Sequence, residues 1–357
     1  MTGNVTKRKP RLFYLDWVRG LSAILIVITH FNNPYLVEHP IFANSPFGIY
    51  IGSLGVSQFL IISGAALMYS HEDAEKLDLK RFYWKRCKSI FPMFWIAFIA
   101  ANVYLFLRQG GIVAAQAPKY SVLLSVIGMD GYLANAGIPT FYTLGEWFLG
   151  FILLFYVIFP LLRYGVKRHP WITGVIIAIL YVLTIVLYPD SQGMPSDLLL
   201  TTRLPELAFG MYFVRFIKKV PHVVGAAAVV LLAVQQSTDI LKGNVAVTLV
   251  GVAFFLFLVW ISQWFDRQPV RVAIGSLSKY SYAIFLVHHQ VIMQVYTIVN
   301  PDSLGVSNAY LLFVADMLII AVLSWMLLRV TDAVVAYVSR MFQKLSLIHI
   351  SEPTRRS

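Results

Sequence analysis

Charge is what this chain has least of. Acidic and basic residues make up 13% of its 357 positions, while 58% are hydrophobic. A soluble fold of this length could not cover that much apolar surface, so a soluble globular protein is excluded. Cysteine is almost missing too. Cys87 stands alone, which rules out an intrachain disulfide or a multi-cysteine metal site. Internal repeats and low-complexity tracts are lacking, and the absence of matched broken halves speaks against many secondary transporters. The first apolar run has no small-residue cleavage site behind it, so it is expected to be a retained span and not a signal peptide.

What is present is apolar sequence in long runs. Ten stretches approach spanning length, near 12–31, 48–69, 89–107, 144–162, 171–188, 198–216, 223–237, 245–264, 281–299 and 309–329. With a mean hydropathy of +0.71, these predict an all-α, polytopic membrane helix bundle of about ten transmembrane helices. A weaker stretch, 120–133, is broken by Gly128, Asp130 and Gly131 and reads as re-entrant or surface-lying.

The excess of 29 basic over 17 acidic residues could indicate nucleic acid, but its placement gives another reason. Segments expected inside carry Lys7 to Arg11, Lys76 to Lys88, Arg163 to Arg168, Arg215 to Lys219, Arg267 to Lys279 and Arg329 to Lys344. Segments expected outside carry Arg108, Lys119 and Lys242. This positive-inside pattern predicts both termini in the cytoplasm and makes the net charge a topology signal, with no nucleic-acid partner.

Polar residues inside such runs are costly and therefore informative. In the first run, Asp16, Arg19 and His30 fall on one narrow stripe at 100° per residue. Arg19 and His30 lie three turns apart, roughly 16.5 Å along the axis. A histidine there suits general-base chemistry, and Arg19 with Asp16 suits holding a polar or charged group. Equally, an interfacial histidine can be satisfied by water, and an i,i+3 Asp–Arg pair can simply neutralise itself.

Other positions have similarly divided readings. Ser63 and Gly64 favour close helix packing. Arg81, Lys85, Arg86 and Lys88 fit juxtamembrane anchoring, or a phosphate-binding patch. Glu146, beside Trp147 at a span's outer end, could meet a polar substrate or the His30 imidazole, or be a solvated helix-start carboxylate. Arg203 and Glu206 flank Pro205 as a buried or cavity-lining pair. Of the adjacent His288 and His289, at most one is expected to face a shared site, since neighbours point about 100° apart. No metal site is expected there.

Together these residues resemble the acyltransferase-3 family of integral-membrane acyltransferases, many of which O-acetylate bacterial surface polysaccharides. The resemblance runs from about Leu15 to about Val330. It rests on Leu15-Asp16-x-x-Arg19-Gly20 with His30 eleven residues after Arg19, and on Gly55-Val56-Ser57 through Ser63-Gly64. It continues with Lys85-Arg86-x-x-Ser89-Ile90-Phe91-Pro92, Trp147-Phe148-Leu149 with Tyr156 and Pro160, Arg203-Leu204-Pro205-Glu206 with Gly210, and Ser281-Tyr282 with Phe285-Leu286-Val287-His288. Ser89 stands where the family often has arginine, and Ala65 where it often has an aromatic residue.

The resemblance implies a multi-pass enzyme of the bacterial cytoplasmic membrane. It would move an acyl group, acetyl being the expected one, from cytosolic acyl-CoA to a hydroxyl of a surface glycan or exopolysaccharide. His30, Arg19, Asp16 and Glu146 are the expected catalytic set, and Arg81, Lys85, Arg86 and Lys88 the donor-binding set. Ser63, Trp147, Arg203, Glu206, Ser281 and His288 are expected to support substrate or structure. No tightly bound cofactor and no metal is expected; acyl-CoA is a donor substrate. The oligomeric state stays open. The competing expectation is a secondary transporter or glycan exporter using the same stripe as a relay.

Residues 1–344 are expected to form one membrane domain. The stretch from Leu345 to Arg355 resembles the translation of a transposase-type sequencing adapter, so 345–357 is read as a non-native tail. Genomic DNA spanning these codons checks this: a different continuation after Lys344 is expected.

Overall fold

The computed structural model describes residues 9–33, 35–36, 39–111, 117–141, 144, 147–188 and 193–351, with residues 302 and 344–351 described by backbone alone. Among the described residues there is no strand, and twelve α-helices carry the fold. They are α1 (Phe13–Asn32), α2 (Ile51–His71), α3 (Leu79–Gln109), α4 (Val122–Val126), α5 (Asp130–Ala134), α6 (Trp147–Arg168), α7 (Pro170–Leu187), α8 (Leu200–Tyr212), α9 (His222–Thr238), α10 (Gly243–Phe265), α11 (Gln268–Tyr296) and α12 (Val306–Ser351).

Eight of these, α1, α2, α3, α6, α7, α10, α11 and α12, are each long and apolar enough to cross a membrane. The remaining two expected spans fall on α8 and α9, which are shorter, 13 and 17 residues. In α8 the shortening has a local cause. A 3₁₀ turn, Ser196–Leu198, precedes the helix, and a π turn, Phe213–Ile217, follows it directly. The broken stretch 120–133 becomes the two short helices α4 and α5, parted at Gly128, whose φ of +71° suits glycine.

The bundle is arranged around α2. This helix has buried apolar residues all round, among them Leu60, Ile61, Ile62, Ala65 and Met68, as a central helix requires. It packs against α1, α8 and α10, while α1 also packs along α11 and α10. Outside this centre, α11 meets α12 and α3, α6 meets α7 and α8, and α9 meets α10. Helix α7 leaves Trp171, Val186 and Leu187 exposed, as a lipid-facing surface would.

Basic side chains gather at one end of the bundle. Arg163 donates to the carbonyl oxygens of His71 and Ala74, and Lys167 donates to those of Glu72 (2.6 Å) and Ala74 (2.8 Å). Arg215 pairs with Glu72 at 3.4 Å. These cations fasten the α2–α3 loop to α6 and to the π turn beyond α8. Helix α3 starts from a capped end there, with the Asp78 side chain accepting from the Arg81 N–H at 3.0 Å.

The closest helix approach is between α2 and α8. A Cβ placed on Gly64 would collide with the Leu207 carbonyl, and one on Gly210 with the Ile61 carbonyl. Because backbone and not a flexible side chain is in the way, a larger residue must push the helices apart. Gly64→Leu and Gly210→Val are therefore each expected to destabilise the fold by about 3 kcal/mol or more, read as a lower thermal midpoint of the detergent-purified protein. The same changes at Gly275, where a Cβ meets nothing within 4 Å, are expected to be tolerated better.

Candidate functional site

Two cavities meet at Arg19. The larger, about 1180 Å³, opens at the basic end and is lined by Arg11, Asp16 and Arg19 of the N-terminal segment and α1, by the α2–α3 loop, and by Arg81 and Lys85 of α3. The second, about 740 Å³, lies within the bundle. It runs from Arg19, Arg86, Ser89 and Ser278 to Thr29, His30, Tyr50 and Trp147. The charged stripe of α1 thus forms one wall of an internal passage, with Arg19 at the inner mouth and His30 toward the far end.

Around Arg19 the charges are tied down by short contacts. The Asp16 carboxylate accepts from Arg11 Nε at 2.9 Å and from its second guanidine nitrogen at 2.7 Å. That hydrogen bond raises the Arg11 pKa above its ordinary value. Asp16 also accepts from the Ser278 hydroxyl at 2.7 Å. Arg19 approaches Asp16 less closely, at 3.9 Å, and donates to the Ser278 oxygen at 3.4 Å. Ser278 therefore bridges the two. Asp16 reaches Arg19 largely through this hydroxyl of α11, and the neighbour one turn away contributes charge at longer range.

At the other end His30 is enclosed by imidazoles. Its ring centroid lies 4.9 Å from that of His288 and 5.0 Å from that of His289, both edge-on. Of the two, His288 lines the inner cavity and His289 does not. Both reach His30 because it packs into the gap between two adjacent α11 side chains, so neither has to turn. Among the described residues no cluster of His, Cys, Asp and Glu is arranged to hold a metal ion.

The other expected residues distribute as follows. Ser63 lines the inner cavity while its hydroxyl donates back to the Phe59 carbonyl at 2.6 Å, and Ser281 lines it while donating to the Ser278 carbonyl at 2.9 Å. Trp147 and His288 line it as well. Arg203 is buried and lines it, held by the Asp197 carbonyl at 2.8 Å and by Glu206 at 3.3 Å. Glu206 is fully buried behind Arg203 and accepts a hydrogen bond from Ser57. Arg81 and Lys85 line the outer cavity, but Arg86 lines the inner one, over the Phe82 and Tyr156 rings at 6.0 and 5.9 Å. Lys88 lines neither of the two; it is exposed, 5.5 Å from the Trp84 ring centre. Glu146 lies outside the described residues.

Two residues outside the expected set stand at the site. Ser278 is the link between Asp16 and Arg19, and Tyr156 supports Arg86 and lines the cavity. Ser278 shares a helix turn with Ser281, so the paired serines were the available signal. Their opposite roles, one bonded across to α1 and one to its own backbone, depend on helix rotation.

No solved structure matches the chain. It is similar to an acyltransferase, MdmB, from Streptomyces mycarofaciens, with 23% identity over 317 residues covering 80% of each protein. The family described as an acyltransferase domain matches residues 12–330, a range that holds both cavities' helices from Arg19 to His288. The chain is a membrane-helical member of the acyltransferase-3 family.

Proposed function

We propose that this protein transfers an acyl group, acetyl in the first instance, from cytosolic acyl-CoA to a hydroxyl of a surface glycan at the bacterial cytoplasmic membrane. The observation that carries this reading is the junction of the two cavities at Arg19, with His30 further along the inner one. A thioester donor that is charged at one end and thin along its arm needs such a route. An acceptor arriving from the opposite side needs a base at the far end.

The basic end faces the cytoplasm by the positive-inside rule. The nucleotide phosphates of CoA stay in the outer cavity with Arg81 and Lys85, because a multiply charged group does not enter an apolar bundle. The uncharged arm passes Arg86 and Arg19 into the inner cavity. Arg19, positioned through Ser278 and Asp16, holds the polar groups of the donor arm while the thioester passes on toward His30. His30 takes the proton from the acceptor hydroxyl; the oxygen attacks the carbonyl carbon, forming the C–O bond as the C–S bond breaks. The proton then passes from the imidazolium to the departing thiolate, giving free CoA and the ester. A route by way of an acyl group on His30 itself uses the same residues in two steps. The glycan acceptor follows the chemistry of the family this chain resembles, and Ser53 lines the same cavity as His30, which suits a polar partner.

Deletion of the gene followed by mass analysis of the surface glycan tests the reading directly. Loss of O-acyl groups is expected, restored by the wild-type gene. His30→Ala should abolish transfer, at least 100-fold down, with normal membrane insertion and abundance on immunoblot. O-acylation that persists in the His30→Ala strain would overturn the role of His30. Replacing Arg81 and Lys85 together by Ala should raise the KM for acetyl-CoA about tenfold or more, with the KM for the acceptor little changed, in purified protein reconstituted in liposomes. In the same liposomes, acceptor movement without acetyl-CoA consumption would favour a transporter instead.

A further inference from the structure

His288 is the second imidazole of the inner cavity, and the reaction as written leaves it unused. Its side chain is 1% exposed. Nδ1 lies 3.0 Å from the Ile284 carbonyl and 2.9 Å from that of Phe285. Carbonyl oxygens only accept, so Nδ1 carries the ring proton and Nε2 is left with a lone pair. Nε2 is buried and finds no hydrogen-bond partner among the described residues. A buried acceptor of this kind is costly to leave unpaired.

The position of the ring restricts what can satisfy it. His288 lines the same cavity as His30, with the two ring centroids 4.9 Å apart and the rings inclined at 62°. His289 is as near to His30, at 5.0 Å, but does not line that cavity. Nε2 itself has almost no accessible surface, so a ligand seated at His30 reaches it through a small shift of the two rings that stand together on the cavity wall. Since Nε2 can accept and cannot donate, the group it pairs with must bring its own proton.

We propose that His288 Nε2 binds a second donor of the acyl acceptor, a hydroxyl neighbouring the one that His30 deprotonates. The acceptor class is then a polyol with adjacent hydroxyls, a sugar ring in its usual form, and not an isolated alcohol on an apolar scaffold. No proton is transferred at His288; it orients the ring so that one hydroxyl and not its neighbour faces His30. The inference rests on the acyl-transfer reading above.

The test uses full-length protein in liposomes, acetyl-CoA as donor, and the unacylated glycan extracted from the deletion strain as acceptor. His288→Gln keeps a carbonyl oxygen at a similar reach, and His288→Leu fills the space without an acceptor. The leucine variant is expected to raise the KM for glycan at least tenfold with the KM for acetyl-CoA unchanged, while the glutamine variant recovers most of the loss. A leucine variant within twofold of wild type overturns the proposal. So do two variants equally impaired, which would report space-filling, and so does a change confined to the acetyl-CoA KM. A second measurement needs no variant: NMR of the wild-type product should show a free hydroxyl on a carbon next to the acylated one. An acylated position flanked only by carbons without a hydroxyl also overturns the proposal. Wild-type protein that acylates nothing overturns the acyl-transfer reading itself, and this inference with it; an active wild type with an indifferent His288 overturns this inference alone.

Discussion

The Asp16 carboxylate is the charge on which the inner half of the passage depends. It sits in the first turn of α1 with little exposure, accepting from Arg11 and Ser278, and Arg19 is close behind. A carboxylate in such surroundings is tolerable only while its oxygens are occupied. Removing it would leave the Arg11 and Arg19 guanidinium groups without the carboxylate that lies between them. One acidic residue thus joins the N-terminal segment, α1 and α11 at the point where the two cavities meet. The position of Arg19 follows from that junction, since its i,i+3 spacing brings it near Asp16 and the Ser278 oxygen keeps it there.

A second buried cluster has the same logic on the opposite wall. Arg203, Glu206 and Ser57 connect α8 to α2, and the same two helices touch backbone to backbone at Gly64 and Gly210. The close approach and the buried pair support one another. Helices that meet this closely leave no space for water beside Glu206, so its partners must come from the protein. Arg203 also reaches the Asp197 carbonyl, which fixes the loop preceding α8 at the His30 end of the cavity. Stability and site geometry are therefore coupled here: a change that parts α2 from α8 also moves the cavity wall.

The fold was readable because hydropathy alone identifies spans. All ten expected runs lie on helices, although α8 and α9 fall short of spanning length by themselves. What hydropathy could not show was the π turn at Phe213–Ile217, since no sequence period distinguishes it from ordinary helix. The stripe of Asp16, Arg19 and His30 was legible from period alone, because α1 is regular throughout. Its partners were less so. The bridge through Ser278 joins residues 262 positions apart, and no local pattern carries that information. His288 and His289 reach His30 together for the same reason: helix rotation within α11 was predictable, but the placement of α1 between the two rings was not. Arg81, Lys85, Arg86 and Lys88 looked like one basic patch, yet they divide among an outer cavity, an inner cavity and an exposed surface, because consecutive residues of a helix point in different directions.

On the proposed reading, this division of the basic residues suits the shape of the donor. An acyl-CoA has its charge at one end and its reactive carbonyl at the other, with a flexible arm between. Electrostatic attraction at the outer cavity operates in water and is screened by salt, so it concentrates and orients the donor without holding it rigidly. Inside the bundle the same kind of charge acts with far less screening, and a single guanidinium is enough. Arg19 borders both environments. Beyond it the inner cavity is also lined by Arg203, whose charge is paired with Glu206. The three turns between Arg19 and His30 are then the span over which the arm lies, and the base can act only on a donor that has been drawn past Arg19.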